Sequence, residues 1–587
     1  MKNCDTLAKV LSQAGLKDFF AVTGGAAINI IDSLITTGGM TPYFHHHEQA
    51  AALAADAYAR IKGLGLCVVT TGPGVTNALT GLLCSWQDSV PCIYISGQAR
   101  SSQTALGLKV RQVGTQHMEV LPVVTNLTKK AYMLDEKDNI EEVLLDLIFV
   151  ATSGKKGPVW LDIPLDVQLK SKNSSAILDL NLNKLPIKND SSLARNEIIK
   201  GLKYASRPIF IFGRGLTGFD QKDFDSVIEK INIPILRTWG FLDTNLIIPE
   251  HNYFGVVGVS GQRGANFIVS QADFIVSIGV RWGQAVVGPR IESFAPDAKV
   301  IVVDIDENEL KQLTKHQNFD LICCNALTLL NSFLENKDFD FAADKKWDAY
   351  CNDIKSYNHE QITQKPLDLI DQYQITNLIQ QLVSKPTTFV IDGGGTIVYC
   401  SMQILNTSEF MHILIPSASC PMGTGLPQSI GSQIAKRNDL VITIIGDGSF
   451  AFNLQELQTI KTHKLPIKII VLNNDGYLSI KDTQKKFQDG RYFGSDKKGG
   501  LELPNIAKIA RAFGIKYRKI TCFSAAKIKL SKALSSNVPE IIEVVVDNNQ
   551  VIYPTTAFEK DLNGVNNPQP LSRMHPRMEL PLYNNSN

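Results

Sequence analysis

Short β-branched runs separated by helical patterns recur along nearly the whole chain, and this rhythm limits the folds open to it. The runs are Leu66 to Thr70, Cys92 to Ser96, Ile209 to Phe212, Phe274 to Ile278, Val300 to Asp304, Thr388 to Asp392, Val441 to Ile445, Ile467 to Leu472 and Ile541 to Val546. A strand apolar on both faces needs helices above and below it, so the pattern predicts α/β domains with doubly wound parallel sheets. At 587 residues the chain is too long for one core. Two polar stretches without strand pattern, Lys170 to Ser192 and Asn336 to Gln372, read as linkers. Three domains follow, over residues 1–170, 190–335 and 370–550, with a tail over 551–587. The tail cannot continue as a long helix past its prolines; an arm laid over a site and a loose end both fit it.

Composition removes several classes of function. Hydrophobic residues make up 44% and charged residues 20%, too apolar a balance for disorder. Lys plus Arg is 59 against 57 for Asp plus Glu, with no basic stripe interleaved with aromatics, so nucleic acid is not an expected partner. No apolar run approaches the roughly 18 residues of a membrane span, and the N-terminus lacks the pattern of a signal peptide. No membrane partner and a cytoplasmic location are expected. The ten cysteines form no C-x-x-C pair and most sit in apolar or small-residue surroundings, the setting of buried reduced thiols.

The third domain carries the sharpest motif. One strand runs into Gly446-Asp447-Gly448-Ser449, a helical segment follows, and the next strand ends in Asn473-Asn474-Asp475-Gly476-Tyr477. Glycines let the backbone approach a phosphate, and a helix N-terminus offers it unpaired N–H groups. Asp447 and Asn474 supply the hard oxygens Mg²⁺ takes, and a carbonyl near Gly476 could add a third. Alone, a G-D-G is most often a tight turn. Followed 27 positions later by N-N-x-G-Y, it resembles the thiamine-diphosphate motif of the decarboxylase and carboligase superfamily.

That resemblance extends to the first domain, where His45-His46-His47-Glu48-Gln49-Ala50 lies at a strand-to-helix junction. In such enzymes the glutamate of H-E-Q-A bonds the cofactor's aminopyrimidine ring and so helps it deprotonate its own thiazolium carbon; Glu48 matches. The task suits a carboxyl group with little water around it, and an alanine-rich helix follows. Three consecutive histidines on an extended chain point to alternate faces, a poor metal set.

Further matches from about residue 4 to 548 resemble acetohydroxyacid (acetolactate) synthase-like enzymes. They include the turns holding Gly25, Thr71, Gly72 and Asn77, and the Asp88-Ser89-Val90-Pro91 segment. Gln116 matches an active-site glutamine, with Thr115 where phenylalanine is usual. Met422, 25 positions before Asp447, matches the apolar residue that keeps the cofactor bent. Gly395 and Thr396 replace part of a Gly-Gln-His diphosphate segment. The resemblance thus implies pyrimidine-binding, flavin-type middle and diphosphate-binding domains. In the middle domain Arg214, Arg281 and Asp304 match FAD contacts, although Ser260 and Gly283-Gln284-Ala285 depart from the pattern. FAD, if bound, is expected to be structural.

The implied activity is decarboxylation of a 2-keto acid, pyruvate first, and transfer of the two-carbon unit to a carbonyl acceptor. Arg281 also matches an arginine that recognises a second keto acid's carboxylate. Its companion tryptophan is replaced by Thr483, with Ser479 and Ile480 nearby, so a specialised acceptor such as a keto sugar competes with 2-ketobutyrate. A carbon–carbon hydrolase or flavin-dependent oxidase on the same scaffold is the alternative. The resemblance also implies a homodimer or homotetramer with active sites between subunits.

Overall fold

Three six-stranded sheets form, and the pairings within them are parallel. The first domain orders its strands second, first, third, fourth, sixth, fifth, and the last domain repeats that order. The middle sheet runs third, second, first, fourth, fifth, sixth, the order typical of dinucleotide-binding domains. This computed structural model describes residues 1–105, 107–171, 191–336, 339–358, 369–562, 564 and 566–584. Most of the first linker stretch, and residues 337–338 and 359–368 of the second, therefore lie outside the described residues.

All nine runs read as strands are strands, within a residue or two at their ends. The stretch after Asn336 is more structured than a linker. Phe341–Ala342 pairs with Ile231–Asn232, and helix Lys345–Lys355 buries Trp347, whose indole N–H donates to the Pro208 carbonyl at 3.0 Å. Burial of that indole against the middle sheet explains why a polar helix stays docked.

Helix Glu48–Lys62 lies at the centre of the molecule. The His47 ring caps its start by accepting the Gln49 N–H, and Gly63, at φ +87°, ends it. Its alanines bring neighbouring helices close. A Cβ at Gly81 of helix Pro73–Gln87 would stand 2.4 Å from Ala52, and one at Gly431 of helix Gly425–Ala435 would stand 2.0 Å from the Ala54 carbonyl. The first and third domains consequently share one hydrophobic core.

Arg60, on the same helix, ties all three domains together. Its guanidinium reaches Asp56 at 2.7 Å and Asp88 at 2.8 Å in the first domain, Asp243 at 2.7 Å in the middle domain, and the Ile415 carbonyl at 3.1 Å in the third. Asp88 also accepts from the Ser417 hydroxyl and the Ala418 N–H, both at 3.0 Å. Burial works against the cation, but Asp56 and Asp88 more than offset it and leave its pKa above the ordinary value.

The tail packs as an arm along the middle domain. Leu571 and Leu580 join its core, Tyr583 meets Trp347 edge-on at 5.4 Å, and Thr555–Thr556 pairs with Met574–His575. Phe558 touches Phe487 of the third domain at 5.9 Å. No helix among the described residues is long and apolar enough to cross a membrane. Replacing Arg60 by Met should lower the urea midpoint of unfolding by the equivalent of about 3–5 kcal/mol, because it leaves buried carboxylates without their cation.

Candidate active site

In each sheet the candidate residues sit where the strand order reverses, at the carboxyl ends, where α/β sheets open a crevice. In the third domain this point lies between strands Thr387–Ile391 and Leu440–Gly446. Asp392, just past the first of them, accepts the N–H groups of Gly394 at 3.2 Å and Gly425 at 2.7 Å, and Ser449 bonds it as well. Burial pushes its carboxyl up to about 6, against the pull of those donors. Asp392 thereby gathers the segments bearing Gly395 and Thr396, Met422, and Gly446, Gly448 and Ser449. Motif matching passed over it, although an acid ending a strand before three glycines was a usable signal.

These glycines are cramped for a reason. A Cβ at Gly448 would stand 2.4 Å from the Tyr477 ring and 3.4 Å from the Met422 Cε, so Met422 and Tyr477 form one wall. A Cβ at Gly395, which has φ +34°, would stand 2.5 Å from that of Ser479. Thr396 lies buried in the first turn of helix Gly395–Ile404.

The metal candidates follow two neighbouring strands of this sheet. Asp447 accepts the Gly448 N–H at 2.9 Å and the Gly476 N–H at 3.1 Å. Burial pushes its carboxyl up to about 6 while those backbone donors pull it down. Gly476, at φ +134°, is obligatory: a Cβ would meet the Ser495 carbonyl at 2.3 Å. The side-chain oxygen of Asn474 is buried and has no partner. Leaving it so costs about 1–3 kcal/mol, and its chemistry fits a hard cation beside Asp447. No group of three or more His, Cys, Asp or Glu suited to a metal occurs among the described residues.

In the first domain the reversal lies between strands Asp18–Ala21 and Gly65–Val69. Gly25 opens a 3₁₀ turn there, and Thr71 and Gly72 lead into helix Pro73–Gln87. Gly72 has φ +60°, and its Cα lies so near the Gln116 carbonyl that a Cβ would come within 2.3 Å. Gln116 is itself left-handed at φ +59° and exposed. Asn77 donates to the Glu48 carboxylate at 2.9 Å. The helix after Glu48 is buried, but its carboxylate is only half-buried, so one chain's own packing does not supply the dryness expected of it. The histidines diverge: His45 is buried 2.7 Å from Glu456, His46 is exposed, and His47 is a cap.

The first domain thus assembles Gly25, Glu48, Thr71, Gly72, Asn77 and Gln116, and the third assembles the rest. Among the described residues no hydrogen bond or ion pair joins Glu48, Asn77 or Gln116 to Asp447, Asn474 or Ser449. Arg214, Arg281 and Asp304 line a separate cavity of about 470 Å³ at the junction of the domains. Its floor is the middle-sheet reversal, where a Cβ at Gly213 would stand 2.2 Å from the Gly279 carbonyl. Arg214 pairs with Asp243, and burial pulls its pKa down to about 10. Burial pushes the Asp304 carboxyl up to about 6. Arg281 contacts Glu309 at 3.3 Å and the Gln87 carbonyl at 3.0 Å.

Two domains of identical topology flanking a dinucleotide-type domain match the architecture of the three-domain thiamine-diphosphate enzymes. Family profiles agree: residues 1–121 match the thiamine pyrophosphate enzyme N-terminal TPP binding domain, 195–330 the central domain and 393–544 the C-terminal TPP binding domain. The acetolactate synthase large subunit of Cyanidium caldarium is 30% identical over 570 residues, covering 94% of each chain. The isozyme 2 large subunit of Escherichia coli (strain K12) is 30% identical over 569 residues, covering 94% of this chain and 97% of its own. Chloroplastic acetolactate synthase 1 of Nicotiana tabacum is 28% identical over 575 residues, covering 94% and 83%. The chain belongs to the acetolactate synthase-like thiamine-diphosphate enzymes. Gly448→Ala should keep the fold but weaken thiamine diphosphate binding at least about tenfold in calorimetric titration, because the Tyr477 ring must leave its place.

Proposed function

We propose that this chain decarboxylates pyruvate and joins the two-carbon unit to a carbonyl acceptor. The observation that carries the reading is the buried, unpartnered oxygen of Asn474, which follows the strand next to the one that ends before Asp447. Asp447, Asn474 and the Gly476 carbonyl would hold Mg²⁺ against the diphosphate, with Gly395, Thr396, Gly446, Gly448 and Ser449 on the turns that would receive it. Met422 supplies an apolar wall. Bound thiamine diphosphate contributes a nucleophilic carbon and an electron sink for loss of carbon dioxide. Glu48, oriented by Asn77, holds and moves a proton at the aminopyrimidine nitrogen, and Gln116 faces the reacting groups with Gly25.

Because Glu48 is half-open in one chain, we place the complete site between two chains, with Glu48 of one facing Asp447 of the other in a homodimer or larger assembly. FAD is the proposed occupant of the 470 Å³ cavity, whose lining includes Arg214, Arg281 and Asp304. Its role is structural, since decarboxylation and ligation transfer no net electrons. The free cysteines suit a reducing compartment, the cytoplasm. For the acceptor, Thr483 and Ile480 are exposed and Thr483 donates to the Ser479 carbonyl at 3.0 Å, leaving space for something bulkier than 2-ketobutyrate, such as a keto sugar.

Glu48→Gln should lower carbon dioxide release from pyruvate by about 10²–10⁴-fold while thiamine diphosphate still binds; unchanged turnover would overturn the role given to Glu48. With pyruvate alone the wild-type enzyme should form acetolactate slowly. Rapid formation would remove the specialised acceptor.

A further inference from the structure

Behind the Gln116 turn lies a polar chain that the reaction does not touch. Asp162, on strand Val159–Pro164, is 1% exposed. It accepts the Ser96 hydroxyl at 2.6 Å and the Gln98 side-chain N–H at 3.0 Å. Burial pushes the Asp162 carboxyl up to about 6, and the bonds from Ser96 and Gln98 draw it back.

Gln98 spends its whole hydrogen-bonding capacity in one orientation. Its amide nitrogen donates to Asp162 and to the Met118 carbonyl at 2.9 Å, and its amide oxygen accepts the Thr71 hydroxyl at 2.7 Å and the Ala99 N–H at 2.9 Å. Met118 lies two residues beyond Gln116. Thr71 precedes Gly72, the residue packed against the Gln116 carbonyl. Gln98 therefore clamps the Gln116 turn from both sides: the Asp162 carboxylate and the Met118 carbonyl fix its amide nitrogen, the Ala99 N–H fixes its amide oxygen, and Asp162 is the side-chain acceptor among them. A non-glycine residue in the left-handed region persists only when its surroundings over-determine it.

We infer that Asp162 is a positioning residue: through Gln98 it holds the turn that presents Gln116 to the reacting groups. The inference rests on the placement of Gln116 at the reaction centre given above. An asparagine at 162 keeps the shape but offers one acceptor oxygen where the carboxylate offers two, one to the Ser96 hydroxyl and one to the Gln98 amide N–H.

The test compares Asp162→Asn, Ser96→Ala and Gln116→Ala in the full-length enzyme with thiamine diphosphate and Mg²⁺, reading carbon dioxide release from pyruvate. Ser96→Ala is the control for general loosening, since Ser96 bonds Asp162 and the Trp160 indole at 2.8 Å but not Gln98. Asp162→Asn should lower kcat at least tenfold, with cofactor affinity and pyruvate KM within twofold, while Ser96→Ala keeps kcat within twofold. Equal losses in Asp162→Asn and Ser96→Ala, or an unchanged kcat in Asp162→Asn beside an impaired Gln116→Ala, would overturn the inference. An unimpaired Gln116→Ala would instead overturn the placement of Gln116. If Asp162→Asn does not fold, Gln98→Met removes the same clamp and is held to the same criteria.

Discussion

The Arg60 guanidinium, buried among Asp56, Asp88 and Asp243, is the contact on which the arrangement of the three domains depends. Three carboxylates taken out of water are costly unless each meets a cation or a donor. Here Ser85, Ser417, the Ala418 N–H and Gln428 take the remaining lone pairs of Asp56 and Asp88, and Arg214 is a second partner for Asp243. A junction of this kind is directional in a way that apolar packing is not. It sets the first domain against the third in one orientation and leaves the 470 Å³ cavity between them, with Arg60, Asp88 and Arg214 in its wall.

Function then follows from topology repeated. In each of the three sheets the chain turns back across its first strand, and the loops at that reversal hold the residues that chemistry needs. Glycine clears the backbone, and an acid or amide faces the opening. In the third domain Asp392 gathers the glycine turns, and Asp447 binds the turns after two neighbouring strands. In the first domain Glu48 is half-buried and the Gln116 turn is exposed. On the reading proposed above, the first and third domains take opposite ends of one cofactor from different chains, and the middle domain borders the cavity beside them.

The glycine motifs were legible because their constraints are local. Gly72 and Gly476 are required by their own positive φ, and Gly448 by Tyr477 in the second half of the same motif. The apolar central strands were equally plain. Strand Lys516–Ile520, with the sequence KYRKI, was not, because it lies at a sheet edge with charged side chains that pair with Glu540 and Glu543 of its neighbour. The Lys345–Lys355 helix was read as linker because its surface is polar and only Trp347, Cys351 and Ile354 face the core. The Arg60 junction could not have been read at all. Its members lie at positions 56, 60, 88 and 243, and no periodicity connects residues that meet only after three domains have docked.

The central claim is that Glu48 and Asp447 are two halves of one centre contributed by different chains. The direct measurement is to co-express two inactive variants, Glu48→Gln and Asp447→Ala, and assay carbon dioxide release from the mixture. If the halves come from two chains, each hybrid dimer regains one intact site, and random pairing restores about a quarter of wild-type activity. Activity no greater than that of either parent, in a preparation shown to contain hybrids, would contradict the account.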